Sequence, residues 1–496
     1  MPLLLIALTL ALLAPPAQAA EAPVTIYVNN RLGADTNTGL TERPTRKRGT
    51  GPVATITRAL ALVPVGGHVS IVNTGQDYRE SVRVQRLFKG RPSTPLVIDG
   101  HGATVSGLVT IPPERWTLVK DDVYLYTGLQ ADGKSRAPMP NSNWLGFLRH
   151  QGWFTESQSP DIFFLNGQPA PHVTNLAEIP AGGFFYETQQ GRKVYFRLPV
   201  GKRLAECTID LPQHEGVFVD DDYVVVRNLA SKYSQDDGFA GFWGIGDVFE
   251  NCNGSYNCDQ GISLHGTSVT IIDGGLYERN GGCGIVDVMS SFTIYRHATV
   301  RDNLFAGALL QGLGHNLLSC RFSGNRGAQV AAEKGAAFIM TNCLVVGSAA
   351  DGAKVGVQME QGRIDRCTIV NCAQGVQVSR SGSISSTLLA NCDTLLQVAP
   401  TAMGSFRMGK TRFSAGKLLL GPTALTPESW AEFAKATPAL ADNAWADPQL
   451  DAKTWLLPTG SPLLKAGEFG MPMGAVLPAF TGWPLDQGEP FRHPHP

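Results

Sequence analysis

Residues 257–303 read NCDQGISLHGTSVTIIDGGLYERNGGCGIVDVMSSFTIYRHATVRDN, and the asparagine that opens the stretch returns at Asn280 and closes it at Asn303. Further asparagines follow at Asn325, Asn371 and Asn391, with successive steps of 23, 23, 22, 46 and 20 residues. The long step spans two units. Between the asparagines lie short apolar runs split by Gly or Asn turns. From Asp221 onward the same unit opens as DDYVVVRNL, GIGDVFENC, TSVTIIDGG, SSFTIYRHA, LGHNLLSCR, AAFIMTNCL, QGRIDRCTI and SGSISSTLL. A strand pattern repeating every ~20–25 residues predicts a solenoid whose coils stack and bury one continuous core. Asn tolerates left-handed backbone, which a sharp turn between strands needs, and stacked Asn side chains can bond along the stack. The fold predicted is all-β: a right-handed parallel β-helix.

The bulk numbers agree with many tight turns: 55 glycines and only 17% charged residues in 496. The net charge of −1 gives no reason to expect a nucleic-acid partner or an anionic membrane surface. Residues 1–20, MPLLLIALTLALLAPPAQAA, have the pattern of an export signal ending in small residues. No later run reaches the ~18 apolar residues of a membrane helix. The expectation is an exported monomer, periplasmic or extracellular, with no membrane insertion. Nine cysteines cannot all pair internally. Cys252, Cys320, Cys343 and Cys367 recur at one place in the repeat, which predicts a column of buried thiols.

Residues 21–110 read as an N-terminal cap and first coils. Ile56, Ala59, Leu60 and Val63 recur at helical spacing, so a short helix should cover the open end of the solenoid. Residues 111–205 break the rhythm and are rich in aromatics, including Trp116, Trp144, Trp153, Phe163, Phe184 and Phe196; they read as an inserted β segment. Residues 206–400 hold the regular coils, and 401–496 the last coils and a wrapping tail. Within that tail, Thr426 and Pro427 start a short helix.

The opening YVNNRLGADTNTGL with GPVATITRAL, and the closing ADPQLDAKTWLLPTGSPLLKAGEFGMPMGA, resemble the two ends of secreted β-helix proteins of the pectate-lyase-like superfamily. The stretch 235–266, QDDGFAGFWGIGDVFENCNGSYNCDQGISLHG, resembles the calcium-binding coils of lysine-base pectate lyases. Asp237 and Asp259 match two of that family's carboxylates, whereas Gln260 and Ser263 stand where it has two more. With those two acids replaced, the expectation is no required cofactor, with room for a weak calcium site. The resemblance also implies a lysine base one or two coils later, but no Lys occurs between Lys232 and Lys334.

Asp236 and Asp259 are 23 residues apart, one repeat. Stacked at one column they would lie ~5 Å apart, the rung spacing of a parallel sheet and near the carboxyl separation of retaining glycosidases. Like charges that close favour keeping one proton, which makes an acid. A slip of one residue would put Asp237 there instead. Strand alternation sends Ser263 and His265 outward if Ile262 and Leu264 point inward. Asp287, Gln311, Glu333 and Lys334 fall at similar columns in later coils, so a polar stripe along one face is expected. Phe242 and Trp243, one turn from Asp237, are placed either to stack on a sugar or to seal the junction with the insert. Asp before Gly is also an ordinary turn residue, which leaves a purely structural role open for each Asp. The reading is an exported protein acting on a polysaccharide or oligosaccharide by carboxylate hydrolysis. The alternatives are β-elimination on a uronate polymer, with Lys334, an Arg or His265 as base, and glycan binding without catalysis.

Overall fold

The computed structural model describes residues 22–127, 163–173, 175–187, 193–347 and 354–478. The leader expected at 1–20, and Trp144 and Trp153 of the expected insert, lie outside the described residues.

Three ladders of parallel strands run the length of the solenoid. The first carries the rungs Val82–Gln85, Val217–Asp220, Phe239–Phe242, Ile262–His265, Ile285–Asp287, Ala308–Leu310 and Ala328–Ala332 in succession. The second includes Leu96–Asp99, Val224–Arg227, Ile245–Glu250, Val269–Asp273 and Phe292–Arg296. The third includes Thr104–Ser106, Ala230–Lys232, Asn253–Ser255, Leu276–Glu278 and Thr299–Arg301. Register is set by alternation. Val217, Phe239, Ile262, Ile285, Ala308 and Val330 pair across successive coils of the first ladder and are all fully buried. Each such side chain contributes ~1.5–3 kcal/mol, and a one-residue slip would turn the whole column outward.

The corner joining the third ladder to the first carries a buried amide ladder. Asn257 Nδ2 donates to Asn280 Oδ1 (3.0 Å), Asn280 to Asn303 (2.9 Å), and Asn303 to Asn325 (2.8 Å). The backbone N–H of each upper residue bonds the same oxygen. Ser234 N–H closes the upper end on Asn257 Oδ1, and the Gln329 amide closes the lower end on Asn325. The left-handed backbone expected of these asparagines belongs instead to the residue before each, Tyr256, Arg279, Asp302 and Gly324. The Asn side chain must enter the interior to bond its neighbour, so the preceding residue takes the turn. Asn371 and Asn391 do adopt positive φ, and the buried position after each is a cysteine, with Cys372 N–H on Cys392 Sγ at 3.4 Å. None of the nine cysteines is paired; Cys320, Cys343 and Cys367 stack through N–H···S contacts of 3.3 and 3.4 Å.

The helix Ile56–Leu62 buries Ile56, Ala59 and Leu60 in the solenoid core at its N-terminal end, with Thr55 as N-cap. The helix Pro427–Ala436 places Trp430 against Phe413 and Trp445 at the other end. Between the rungs Thr104–Ser106 and Val217–Asp220 the chain leaves the solenoid and forms two small sheets, one of four and one of five strands. Trp116, Tyr126, Phe163, Phe184 and Phe196 make its core, with Phe163 stacked on Phe184 at 4.6 Å. Cys258 of the solenoid belongs to the same core, and Phe164 packs edge-on against Tyr233 at 4.9 Å. The tail climbs back along the third ladder. Gly474 N–H bonds Ser386 O, Ala475 N–H bonds Thr368 Oγ1, and Val476 and Asn342 exchange two bonds. Among the described residues no helix is long and apolar enough to cross a membrane.

Two stability outcomes follow. Asn280→Ala strands several buried partners and should cost about 3 kcal/mol in urea unfolding, whereas Asn391→Ala, on the surface, should cost about 1 kcal/mol. Asp247 is 2% exposed, and burial followed by the nearby Asp222 and Asp221 charges pushes its carboxyl up to about 7. A raised carboxyl stabilises the fold fully below the unfolded value of 3.8 and loses that contribution as pH rises to about 7, an interval worth roughly 4 kcal/mol. Asp247→Asn should therefore stabilise the protein at pH 8 and flatten the slope of unfolding free energy between these pH values. An unchanged slope would contradict the assignment.

Candidate functional site

The corner that holds the amide ladder also holds the acids. Asp236 and Asp237 follow Ser234, and Asp259 and Gln260 follow Asn257, so the ladder bond from Ser234 to Asn257 fixes their relative height. Asp259 N–H donates to Asp236 O (3.1 Å), which makes the two residues stacked neighbours. Oxygens of Asp236, Asp237 and Asp259 lie within 4.8 Å of one another. Gln260 ties the group together. Its backbone N–H donates to Asp237 Oδ1 (3.2 Å), its side-chain amide donates to Asp259 Oδ1, and its Oε1 accepts from Cys283 N–H (2.6 Å). Gly282 sits below Asp259 in the next coil. A Cβ there would meet Asp259 Oδ1 at 2.6 Å and Gln260 Oε1 at 2.7 Å, so only glycine leaves the carboxylate in place.

These acids line a cavity of about 270 Å³ on the outer face of the first ladder. Arg83 pairs with Glu215 and lies 5.0 Å over the Phe218 ring. Phe218 stacks on Phe242 at 4.9 Å, and Phe242 stacks on the His265 ring at 4.3 Å, nearly parallel. His265 Nε2 is 2.6 Å from Ser263 Oγ, and Ser263 in turn bonds Asp237. Burial first, and then the charge of Asp236, push the Asp237 carboxyl well above the usual range. Burial likewise lowers His265, against the opposing pull of the Asp287 charge. The site therefore favours the protonated form of one carboxyl beside two others, and the neutral form of the imidazole.

Four of the expected residues meet here: Asp236, Asp237, Asp259 and His265. Asp287 does not. It pairs in register with the inward Leu264 and is fully buried. There Thr293 Oγ1 (2.7 Å), Tyr295 OH (2.9 Å) and His315 Nδ1 (3.0 Å) satisfy it, so it belongs to the interior and not to an outer stripe. Phe242 lines the cavity, but Phe218 and His265 cover its two faces, so it cannot stack on a sugar. Trp243 is half exposed, and its indole covers Gly266 beyond the cavity. Gln311 and Glu333 follow the later rungs ending at Leu310 and Ala332; Glu333 lines a separate cavity with Arg326 and Lys354. Lys334 stands in a turn three rungs past Asp259, ~14 Å along the ladder, beyond the reach of a base acting at this cluster. Arg83 and Glu215 were not anticipated, because the excursion separates them in sequence from the coils they join.

For calcium, which takes six to eight oxygens with several carboxylates, the three acids bring carboxyl oxygens within 4.8 Å of one another. The Gln260 side-chain oxygen is already engaged by Cys283 N–H. With Gln260 and Ser263 adding no further acid, these residues fit a weak site.

The chain is a right-handed parallel β-helix protein. Residues 287–397 match the family model described as the right handed beta helix region. A solved structure of XylC in complex with xylose is similar over 82% of this chain and 77% of that chain, at 12% identity and a TM-score of 0.51, a likeness of fold. A glycoside hydrolase structure is similar at 10% identity over 81% of this chain and 95% of that one, with a TM-score of 0.47. The pectate lyase Pel9A is similar at 13% identity over 91% and 96%, with a TM-score of 0.39. No curated protein matches the chain.

The cluster predicts a titration. The Asp237 carboxyl carbon, followed by NMR, should titrate well above the ~3.9 of a free Asp. Asp236→Asn removes the neighbouring charge and should move that midpoint down; a midpoint that stays put would assign the whole effect to burial.

Proposed function

We propose that this protein is an exported carbohydrate-active enzyme that hydrolyses glycosidic bonds in the groove of the first ladder. The observation that carries the reading is the cluster of three carboxyls, Asp236, Asp237 and Asp259, with oxygens within 4.8 Å of one another, in which burial and the Asp236 charge raise the Asp237 carboxyl. Asp237 donates its proton to the glycosidic oxygen. Asp259, oriented by the Gln260 amide, attacks the anomeric carbon as nucleophile. Once the leaving group departs, Asp237 takes a proton from water, which hydrolyses the glycosyl intermediate. Carboxyls this close correspond to the retaining geometry of ~5–5.5 Å and leave no room for water between them, as inversion at ~6.5–9.5 Å requires. Ser263, bonded to both His265 and Asp237, holds the acid in orientation. The leader pattern of residues 1–20 supports export.

A second reading is kept by the same three acids. If a divalent cation bound there, Asp236, Asp237 and Asp259 would hold it, and it would supply charge neutralisation for a uronate substrate. Elimination would then need a base from this chain, and His265 is the residue within reach.

The test is product analysis with a polysaccharide panel that includes xylan and polygalacturonate. Hydrolysis predicts new reducing ends, no ultraviolet-absorbing unsaturated product, and retained anomeric configuration by NMR. Asp237→Asn and Asp259→Asn should each lower the rate ~10²-fold or more. Unsaturated products would overturn hydrolysis in favour of elimination. Binding without any product would reduce the groove to recognition.

A further inference from the structure

A second cavity, of about 720 Å³, lies on a different ladder, toward the other end of the solenoid. Its base is formed by outward positions of the second ladder, where Arg363, Ser383 and Arg407 pair in register one rung apart. Thr437, Leu440 and the Glu468 carboxylate also line the cavity. Beside the column, Gly409 has nothing within 4 Å of where a Cβ would lie, so the space above it is open.

The two guanidinium groups are weakly compensated. Arg363 reaches Asp365 only at 4.0 Å, and its side chain is 54% exposed. Asp365 is held more closely by Arg366 (3.0 Å) and Ser385 (2.8 Å). Arg407 Nη1 bonds the carbonyls of Phe406 (2.7 Å) and Gly404 (3.1 Å), which fixes the group without neutralising it. Two rungs separate the arginines, ~10 Å along the axis. An extended 1,4-linked pyranose advances by about one rung. Acidic groups on the first and third sugars of one strand would therefore face Arg363 and Arg407, with the middle sugar over Ser383. Arginine suits carboxylate or sulfate through its forked donors. Met403 and Leu440 supply apolar surface for sugar C–H faces.

We propose that this cavity is a second glycan-binding site, separate from the carboxylate groove, that takes three units of an acidic oligosaccharide. The ligand class rests on the reading of the protein as carbohydrate-active. The site lies at least four coils from Asp259, so one subsite cannot serve both.

The test is calorimetric titration of the full chain with trigalacturonate, with xylotriose as neutral control. Trigalacturonate should bind the native protein and Asp259→Asn equally, and more weakly in high salt. The double variant R363Q/R407Q should lose about tenfold or more in affinity, while R363K/R407K keeps part of it. Both arginines are exposed, and a urea midpoint confirms that each variant is folded. No binding, binding unchanged in the glutamine variant, or xylotriose binding as well as trigalacturonate would overturn the proposal. Loss in Asp259→Asn would also overturn it, by moving the ligand to the groove. Binding at the arginines together with a silent product assay would retain this site and discard the hydrolase reading.

Discussion

The buried amide ladder at the corner between the third and first ladders sets the height of everything built above it. Each rung there is closed by a side-chain oxygen that accepts two N–H groups from the coil above, and the interior offers no water to replace them. Ser234 and Asn257 belong to that run of bonds, and the acids come two residues later. The closeness of Asp236 and Asp259 is thus inherited from a structural device. Like charges would otherwise spread apart. The ladder, Gln260 and the missing Cβ of Gly282 hold them together, and burial, with the Asp236 charge added to it, raises the Asp237 carboxyl.

The excursion at 107–216 reaches the site only through its last residues among those described. It leaves from the same corner one coil earlier and returns as Glu215 and Gly216 at the cavity. Because the rung Thr104–Ser106 still pairs with Ala230–Lys232, the solenoid continues as though nothing had been inserted. Its aromatic core is fastened to the coils through Cys258, next to Asp259.

Repeat length and alternation made the solenoid legible in the sequence, since both reflect burial and rung spacing. The stacking of Asp236 over Asp259 was legible for the same reason: a 23-residue step returns to one column. Two readings needed the structure. The asparagines were assigned to the left-handed turn, yet in four cases the interior claims the side chain and the preceding residue bends. Asp287 looked like one more member of an outer stripe, but its neighbours Val286 and Val288 do not reveal which of three consecutive residues faces inward. Its partners Thr293, Tyr295 and His315 come from the next strand of its own coil and from the coil after, and no local pattern announces them. Arg83 and Glu215 were hidden by chain distance.

The C-terminal tail alters how the stack comes apart. Coils in a solenoid touch only their neighbours, so an end can peel away one unit at a time. Here Ser386, Thr368 and Asn342, from three different coils, are bonded to one strand that runs back toward the N-terminus. The last coils cannot unwind singly without first stripping that strand from all three. A zipper with open teeth becomes a laced one, and the end most exposed to fraying is made to yield as a block.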